Sequence, residues 1–184
     1  LVDFAHKNNI KVCFNAGTTS IKQGFDYMKK ILATSHVVVM NKEEASMCSG
    51  IVVRPDTKNE HYSHDIIHPD VRSMLKALKM SNYQVIVITD GKNGAYAYDG
   101  KKFYYCPVFQ SCVVSTLGAG DAFASTFFAA LDKTGHDIGK SLMYASVVSS
   151  SVVSKFGATE GLISFNEVEM KLYQHHDYTY TEVE

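Results

Sequence analysis

The sequence has little net charge and no long apolar run, and each absence excludes a class of protein. Its 184 residues carry a formal net charge of -1 at pH 7, which gives no electrostatic basis for binding nucleic acid or an anionic membrane. No apolar run has the length of a membrane span or of a signal peptide. We therefore expect neither nucleic acid nor a membrane as a partner.

Side chains that form disulfides or bind metals are scattered or confined to one polar stretch. The four cysteines form no CxxC pair, so we expect no disulfide framework and no zinc site, but reduced thiols in a cytoplasmic protein. The polar stretch over 50–69 contains His61, His64 and His68. On one helical face these histidines could hold a metal ion, although an exposed histidine-rich loop is the commoner interpretation.

What is present is a regular alternation of helical and extended patterns. The composition, 46% hydrophobic and 20% charged, suits a single α/β domain over 1–184. Because helices alternate with strands, the central sheet is predicted to be mainly parallel. The opening residues 1–7 read as the end of a helix, so we expect a partial sequence whose N-terminal portion is missing. Apolar spacing predicts strands over 10–14, 36–40 and 83–89, a hairpin over 95–105, and helices over 21–32, 71–80, 121–135, 138–152 and 165–175.

Residues 115–123, Ser-Thr-Leu-Gly-Ala-Gly-Asp-Ala-Phe, occupy a predicted strand-to-helix turn. The first amides of a helix lack intrahelical partners and carry partial positive charge, and glycines let a ligand approach the backbone. The turn therefore suits phosphate. Asp121 would lie in the first helical turn, where it could accept a proton from a substrate hydroxyl or simply start the helix.

Two better-known glycine motifs do not fit this turn. A dinucleotide-binding fingerprint requires Gly or Ala where this chain has Phe123, followed by a strand that ends in an acidic residue. A P-loop requires four residues between its glycines and then Lys-Ser/Thr. A Rossmann-type oxidoreductase and a P-loop NTPase are both rejected.

Two further segments follow predicted strands, at the sheet edge where open α/β proteins bind ligands. Asn41 and Glu44 have the spacing of a capping box, which is their simplest interpretation. Thr89, Gly91 and Gly94 have the composition of an ordinary turn. A third segment, over 145–151, has unusually small side chains, which allow close approach of either a neighbouring helix or a flat adenine ring.

Residues 116–123 resemble the C-terminal signature of the ribokinase-like (PfkB) carbohydrate kinase family, Asp-Thr-x-Gly-Ala-Gly-Asp-x-Phe. Asn41 and Glu44 match the family's Asn-x-x-Glu motif, and Thr89, Gly91 and Gly94 match its Thr-x-Gly-x-x-Gly element. The elements occur in the family's order, and the resemblance covers about 10–172. It implies a ribokinase-like three-layer α/β/α fold with a mainly parallel central sheet, whose N-terminal part and lid lie outside this sequence.

The resemblance also implies an activity and a set of site residues. The activity is ATP-dependent phosphorylation of a hydroxyl of a sugar, sugar phosphate or nucleoside. Asp121 is implied as the base, and the turn of Gly118, Ala119 and Gly120 as the anion hole, with Mg²⁺ near Glu44, held through water. The residues implied in nucleotide binding are Asn41, Glu44, Thr89, Gly91, Gly94, Val148 and Ser149.

One position departs from the family pattern. Ser115 replaces the leading Asp of the signature, which in many relatives helps to hold a monovalent cation, so K⁺ binding is expected to be weakened. The departure also leaves a second interpretation open, a catalytically inactive nucleotide-binding or regulatory protein of the same fold. In this family the lid and the N-terminal segments grip the substrate, and the lid often forms a homodimer interface. The substrate's identity is therefore not contained in these residues.

Overall fold

The computed structural model describes residues 1–54 and 67–184. The chain divides into two compact units. The first comprises Leu1–Thr89, Tyr96–Phe103 and Val183–Glu184, and the second comprises Asp90–Ala95 and Tyr104–Glu182. The prediction of a single domain over 1–184 stays a prediction.

The sheet has six strands in the order β1-β2-β3-β4-β5-β6. Its first three strands are parallel, with Phe14 opposite Val38 and Val38 opposite Ile86. Residues 37–40 are all buried, as expected of a parallel strand covered on both faces. The bounds are β1 Cys13–Asn15, β2 Val37–Asn41, β3 Val85–Thr89, β4 Ala95–Tyr98, β5 Phe103–Cys106 and β6 Thr181–Val183.

The helices of the first unit are α1 Val2–Lys7, α2 Thr18–Ile21, α3 Phe25–Thr34, α4 Lys42–Ser49 and α5 Pro69–Leu78. The prediction of a single helix over 21–32 is wrong, because two separate helices, α2 and α3, occupy this region with a non-helical segment between them. Gly24 precedes α3 with φ 99, which is outside the helical region. Glycine adopts such a positive φ without steric cost. The predicted strand over 10–14 is likewise shorter, beginning only at Cys13.

The helices of the second unit are α6 Ala119–Lys133, α7 Ile138–Val153 and α8 Phe165–Gln174. The positions predicted to face inward on α7 are all buried, namely Ile138, Leu142, Ala145, Val148 and Val152. A hydrophobic cluster joins residues of all three helices, among them Ala122, Tyr144 and Val168. In the described part of the chain, no helix combines the length and apolar character needed to cross a membrane.

The end of α7 differs from its prediction. The sequence predicts Gly157 as the residue that follows the helix, but α7 ends at Val153 with Ser154 as its C-cap. The amides of Ser154 and Lys155 bond to carbonyls three residues earlier, so the last turn tightens before Gly157 is reached. Gly157 lies beyond the helix with φ 120.

Candidate active site

The helix α6 begins at a glycine in the left-handed conformation. Gly118 is its N-cap with φ 78 and ψ -5, and within the described residues no side chain caps the helix. The first helical hydrogen bond runs from the Ala122 N–H to the Gly118 carbonyl at 2.9 Å. A Cβ at Gly118 would lie 2.6 Å from the carbonyl oxygen of Ala158. Glycine is therefore required here both by the backbone angle and by close packing.

The residues after Gly118 differ in what surrounds them. The Ala119 amide donates to the Thr116 carbonyl at 3.3 Å, so one of the three amides expected to bind an anion also closes the local turn. Gly120 and Asp121 are exposed. Apart from its chain neighbours and the backbone of its own helix, no described atom lies within 4 Å of a Cβ placed at Gly120. Packing in the described part of the fold therefore does not require glycine at position 120.

The segment before Gly118 is attached to the end of α7. The amides of Val114 and Ser115 both donate to the Val153 carbonyl, at 2.7 and 3.1 Å. The Ser115 hydroxyl accepts a hydrogen bond from the Leu117 amide at 3.3 Å. Sequence reasoning missed these hydrogen bonds to Val153, because every residue has a backbone carbonyl and the residue type does not show which one accepts.

The two α7 residues assigned to nucleotide binding have different environments. Val148 is 3% exposed and belongs to the hydrophobic cluster of the second unit. Ser149 is half-buried, and its hydroxyl donates to the Ala119 carbonyl at 3.1 Å. The structure thus brings Ser149 to the glycine turn.

In the first unit, Asn41 and Thr89 end the adjacent strands β2 and β3, and Glu44 lies in the first turn of α4, which follows β2. Asn41 is paired in register with Thr89. The capping box is confirmed: the Asn41 side chain accepts from the Glu44 amide at 2.8 Å, and the Glu44 carboxylate accepts from the Asn41 amide at 3.0 Å. The other carboxylate oxygen accepts from the Thr18 hydroxyl at 3.4 Å. Sequence reasoning missed Thr18, the first residue of α2.

Gly91 and Gly94 lie in the second unit, in the turn that follows β3. Gly91 has φ 51 and begins a short 3₁₀ segment. The Asp90 amide donates to the Gly94 carbonyl at 2.8 Å and closes the turn. Gly94 has φ 97 and is buried, and a Cβ there would meet the Cys106 carbonyl oxygen and Pro107. Backbone packing thus explains Gly94, and the nucleotide contact implied for both glycines stays a prediction.

The metal and thiol expectations can be followed in the described residues. There, no group of three ligating side chains that could hold a metal ion is found. His61 and His64 lie outside the described residues, and His68 caps α5 by accepting from the Asp70 amide at 3.1 Å. Arg54 hydrogen-bonds the Asp70 carboxylate and lowers the pKa of that carboxyl group to about 2.

All four cysteines lie in the described part of the chain, and none is in a disulfide.

Comparison with known proteins places these observations in one family. The sequence profile described as pfkB family carbohydrate kinase matches residues 3–164. A 5-dehydro-2-deoxygluconokinase from Shouchella clausii is 28% identical over 152 residues, covering 82% of this chain and 41% of that protein. The chain belongs to the pfkB carbohydrate kinase family. It spans about half the length of the relatives it matches.

Solved structures support the same fold. A nucleoside kinase from Methanocaldococcus jannaschii, described as an archaeal member of the ribokinase family, has a TM-score of 0.70 at 22% identity, covering 90% of this chain and 49% of its own. An E. coli structure with ATP and Mg²⁺, provisionally assigned as a ribokinase II, has a TM-score of 0.71 at 19% identity, covering 95% and 52%. The ribokinase-like α/β/α fold is confirmed.

Proposed function

We propose that this chain is the nucleotide-binding portion of an ATP-dependent kinase that phosphorylates a hydroxyl of a sugar, sugar phosphate or nucleoside. The observation that carries the proposal is the start of α6. There Gly118, whose backbone is in the left-handed conformation, begins a helix that no described side chain caps. The exposed Asp121 follows in the first turn of that helix. Partial positive charge next to a carboxylate suits phosphoryl transfer to a hydroxyl. The named activities of the relatives, a sugar kinase and a nucleoside kinase, support the acceptor class.

In the proposed reaction Asp121 is the base. The acceptor oxygen attacks the γ-phosphorus of ATP, the bond from that phosphorus to the bridging oxygen of ADP breaks, and the hydroxyl proton passes to the Asp121 carboxylate. The backbone amides of Gly120 and Asp121, joined by that of Ala119, stabilise the charge on the transferring group. Gly118 sets the direction of these amides by starting the helix. The space beside Gly120 is open because glycine has no side chain to fill it. We assign this space to the phosphoryl group.

We assign Asn41, Glu44, Thr89, Gly91, Gly94, Val148 and Ser149 to nucleotide binding. The capping box supports a defined role for Glu44, a residue that is only 9% exposed and whose carboxylate accepts hydrogen bonds from two donors. Mg²⁺ prefers oxygen ligands and retains several waters, so Glu44 fits a cation held through water better than one bound directly. When bound, Mg²⁺ neutralises charge on the phosphates. The hydrogen bonds that attach Val114 and Ser115 to Val153 support a turn that needs no K⁺.

The test is ATP consumption by the full-length protein against a panel of acceptors: ribose, fructose, phosphorylated hexoses, adenosine and other nucleosides. Each is tested with and without K⁺. We expect turnover on one member and little effect of K⁺. If ATP binds but no member of the panel is phosphorylated, the inactive nucleotide-binding protein, suggested by Ser115, replaces the kinase.

A further inference from the structure

Three serines of α7 donate hydrogen bonds to backbone carbonyls outside their own helix. Ser146 donates to Pro107 at 3.3 Å, and Ser150 donates to Phe109. Ser149 donates to Ala119 at 3.1 Å. The small-residue segment 145–151 therefore holds backbone of the same unit, and of the three serines only Ser149 reaches the first residue of α6.

The acceptor of the Ser149 hydroxyl is chemically connected to the proposed anion hole. A peptide group is planar, so the Ala119 carbonyl and the Gly120 N–H belong to one rigid unit. A hydrogen bond to the carbonyl fixes the orientation of that unit and polarises it, which makes the N–H a stronger donor. A carbonyl oxygen has two lone pairs, so Ser149 can bond to Ala119 without replacing the helical hydrogen bond.

We propose that Ser149 is a positioning residue, which orients and strengthens the Gly120 amide through the Ala119–Gly120 peptide group. The inference rests on the proposed function, and it gives Ser149 a positioning role in place of the direct nucleotide contact that the family resemblance implies for this residue. The half-buried position of Ser149 agrees with this role, because its hydroxyl points to backbone within the same unit. Gly120 itself is exposed, so its amide can meet a ligand while Ser149 acts from the other end of the peptide.

The test compares Ser149→Ala with Ser150→Ala in the full-length protein. Both changes remove one hydroxyl-to-carbonyl hydrogen bond from the same helix, so a similar fall in melting temperature is expected of each. We expect kcat to fall about tenfold in Ser149→Ala, less than the loss of a whole oxyanion donor, with the Kd for ATP unchanged. Ser150→Ala should keep kcat within about twofold of wild type, and Ser149→Thr, which retains a hydroxyl, should recover it.

A second measurement does not depend on catalysis. The amide ¹H and ¹⁵N resonances of Gly120 should shift in Ser149→Ala, return towards wild type in Ser149→Thr and stay in place in Ser150→Ala. An unmoved Gly120 resonance in Ser149→Ala overturns the inference, as does a raised KM for ATP with unchanged kcat, which is the signature of an adenine contact. If the wild-type protein phosphorylates no acceptor, the proposed function fails, while the Gly120 resonance still decides the role of Ser149.

Discussion

The helices α4 and α6 begin in opposite ways. In α4 the capping box of Asn41 and Glu44 supplies side-chain partners to the first amides. In α6 the N-cap is Gly118, and no described side chain performs that task. A capped helix start is complete by itself, whereas a start without side-chain partners offers its amides to solvent or to a ligand. The comparison teaches that the Asn41–Glu44 motif stabilises its own helix, whereas the start of α6 leaves backbone amides available for the ligand contact that we propose.

Of the substitutions at these two helix starts, Gly118→Ala should cause the largest loss of stability. Alanine would have to adopt φ 78, a left-handed value that disfavours a side chain, and its Cβ would lie 2.6 to 2.9 Å from backbone atoms of Ala158. Left-handed strain and overpacking together should lower the free energy of unfolding by about 3 kcal/mol. Urea unfolding of the full-length protein measures this loss. Gly135→Ala is the matched control, since Gly135 also has positive φ but, its chain neighbours apart, has no described atom within 4 Å of its Cβ position. Equal losses in the two variants would contradict the role of Ala158.

Gly120→Ala should separate stability from activity. The backbone of Gly120 is helical and its Cβ position is open among the described residues, so alanine should preserve or raise stability by up to about 1 kcal/mol. Turnover should nevertheless fall at least about tenfold, because the methyl group would occupy the space assigned to the phosphoryl group. Steady-state kinetics and thermal unfolding of the same preparation measure both effects. A variant that is stable and fully active would show that position 120 has no ligand nearby.

The smallest effect is expected at the capped helix. Asn41→Ala removes the acceptor of the Glu44 amide at 2.8 Å and should cost about 1 kcal/mol of unfolding free energy. Asn41→Asp keeps an acceptor at the N-cap and should stay within a few tenths of a kcal/mol of wild type. Chemical denaturation of the three proteins makes the comparison. If alanine and aspartate behave alike, the capping box does not stabilise α4.

The sequence predicts the elements whose signals are local. The capping box of Asn41 and Glu44 could be read directly, because the side chains that form it are the ones that define the motif. The buried face of α7 follows from apolar residues at helical spacing. The start of α6 was predicted close to its true position, since Gly118 and Asp121 are residues typical of a helix start.

The rest depends on tertiary contacts that residue types do not reveal. The apolar spacing of Ile21, Phe25 and Met28 continues through the break at Gly24, so periodicity alone indicates one helix where there are two. The bond from Ser149 to Ala119 joins residues 30 positions apart. A serine on a helix carries no signal of which carbonyl its hydroxyl will reach.

The central claim is that Asp121 is the catalytic base, and its most direct test is Asp121→Asn with kcat and the Kd for ATP measured together. The control is Asp137→Asn, the same change at the N-cap of α7, where the side chain accepts from the Lys140 amide at 2.8 Å and asparagine caps equally well. The account predicts that kcat falls by at least about a hundredfold in Asp121→Asn alone, while both variants bind ATP like wild type. A kcat for Asp121→Asn within a few-fold of wild type would contradict it.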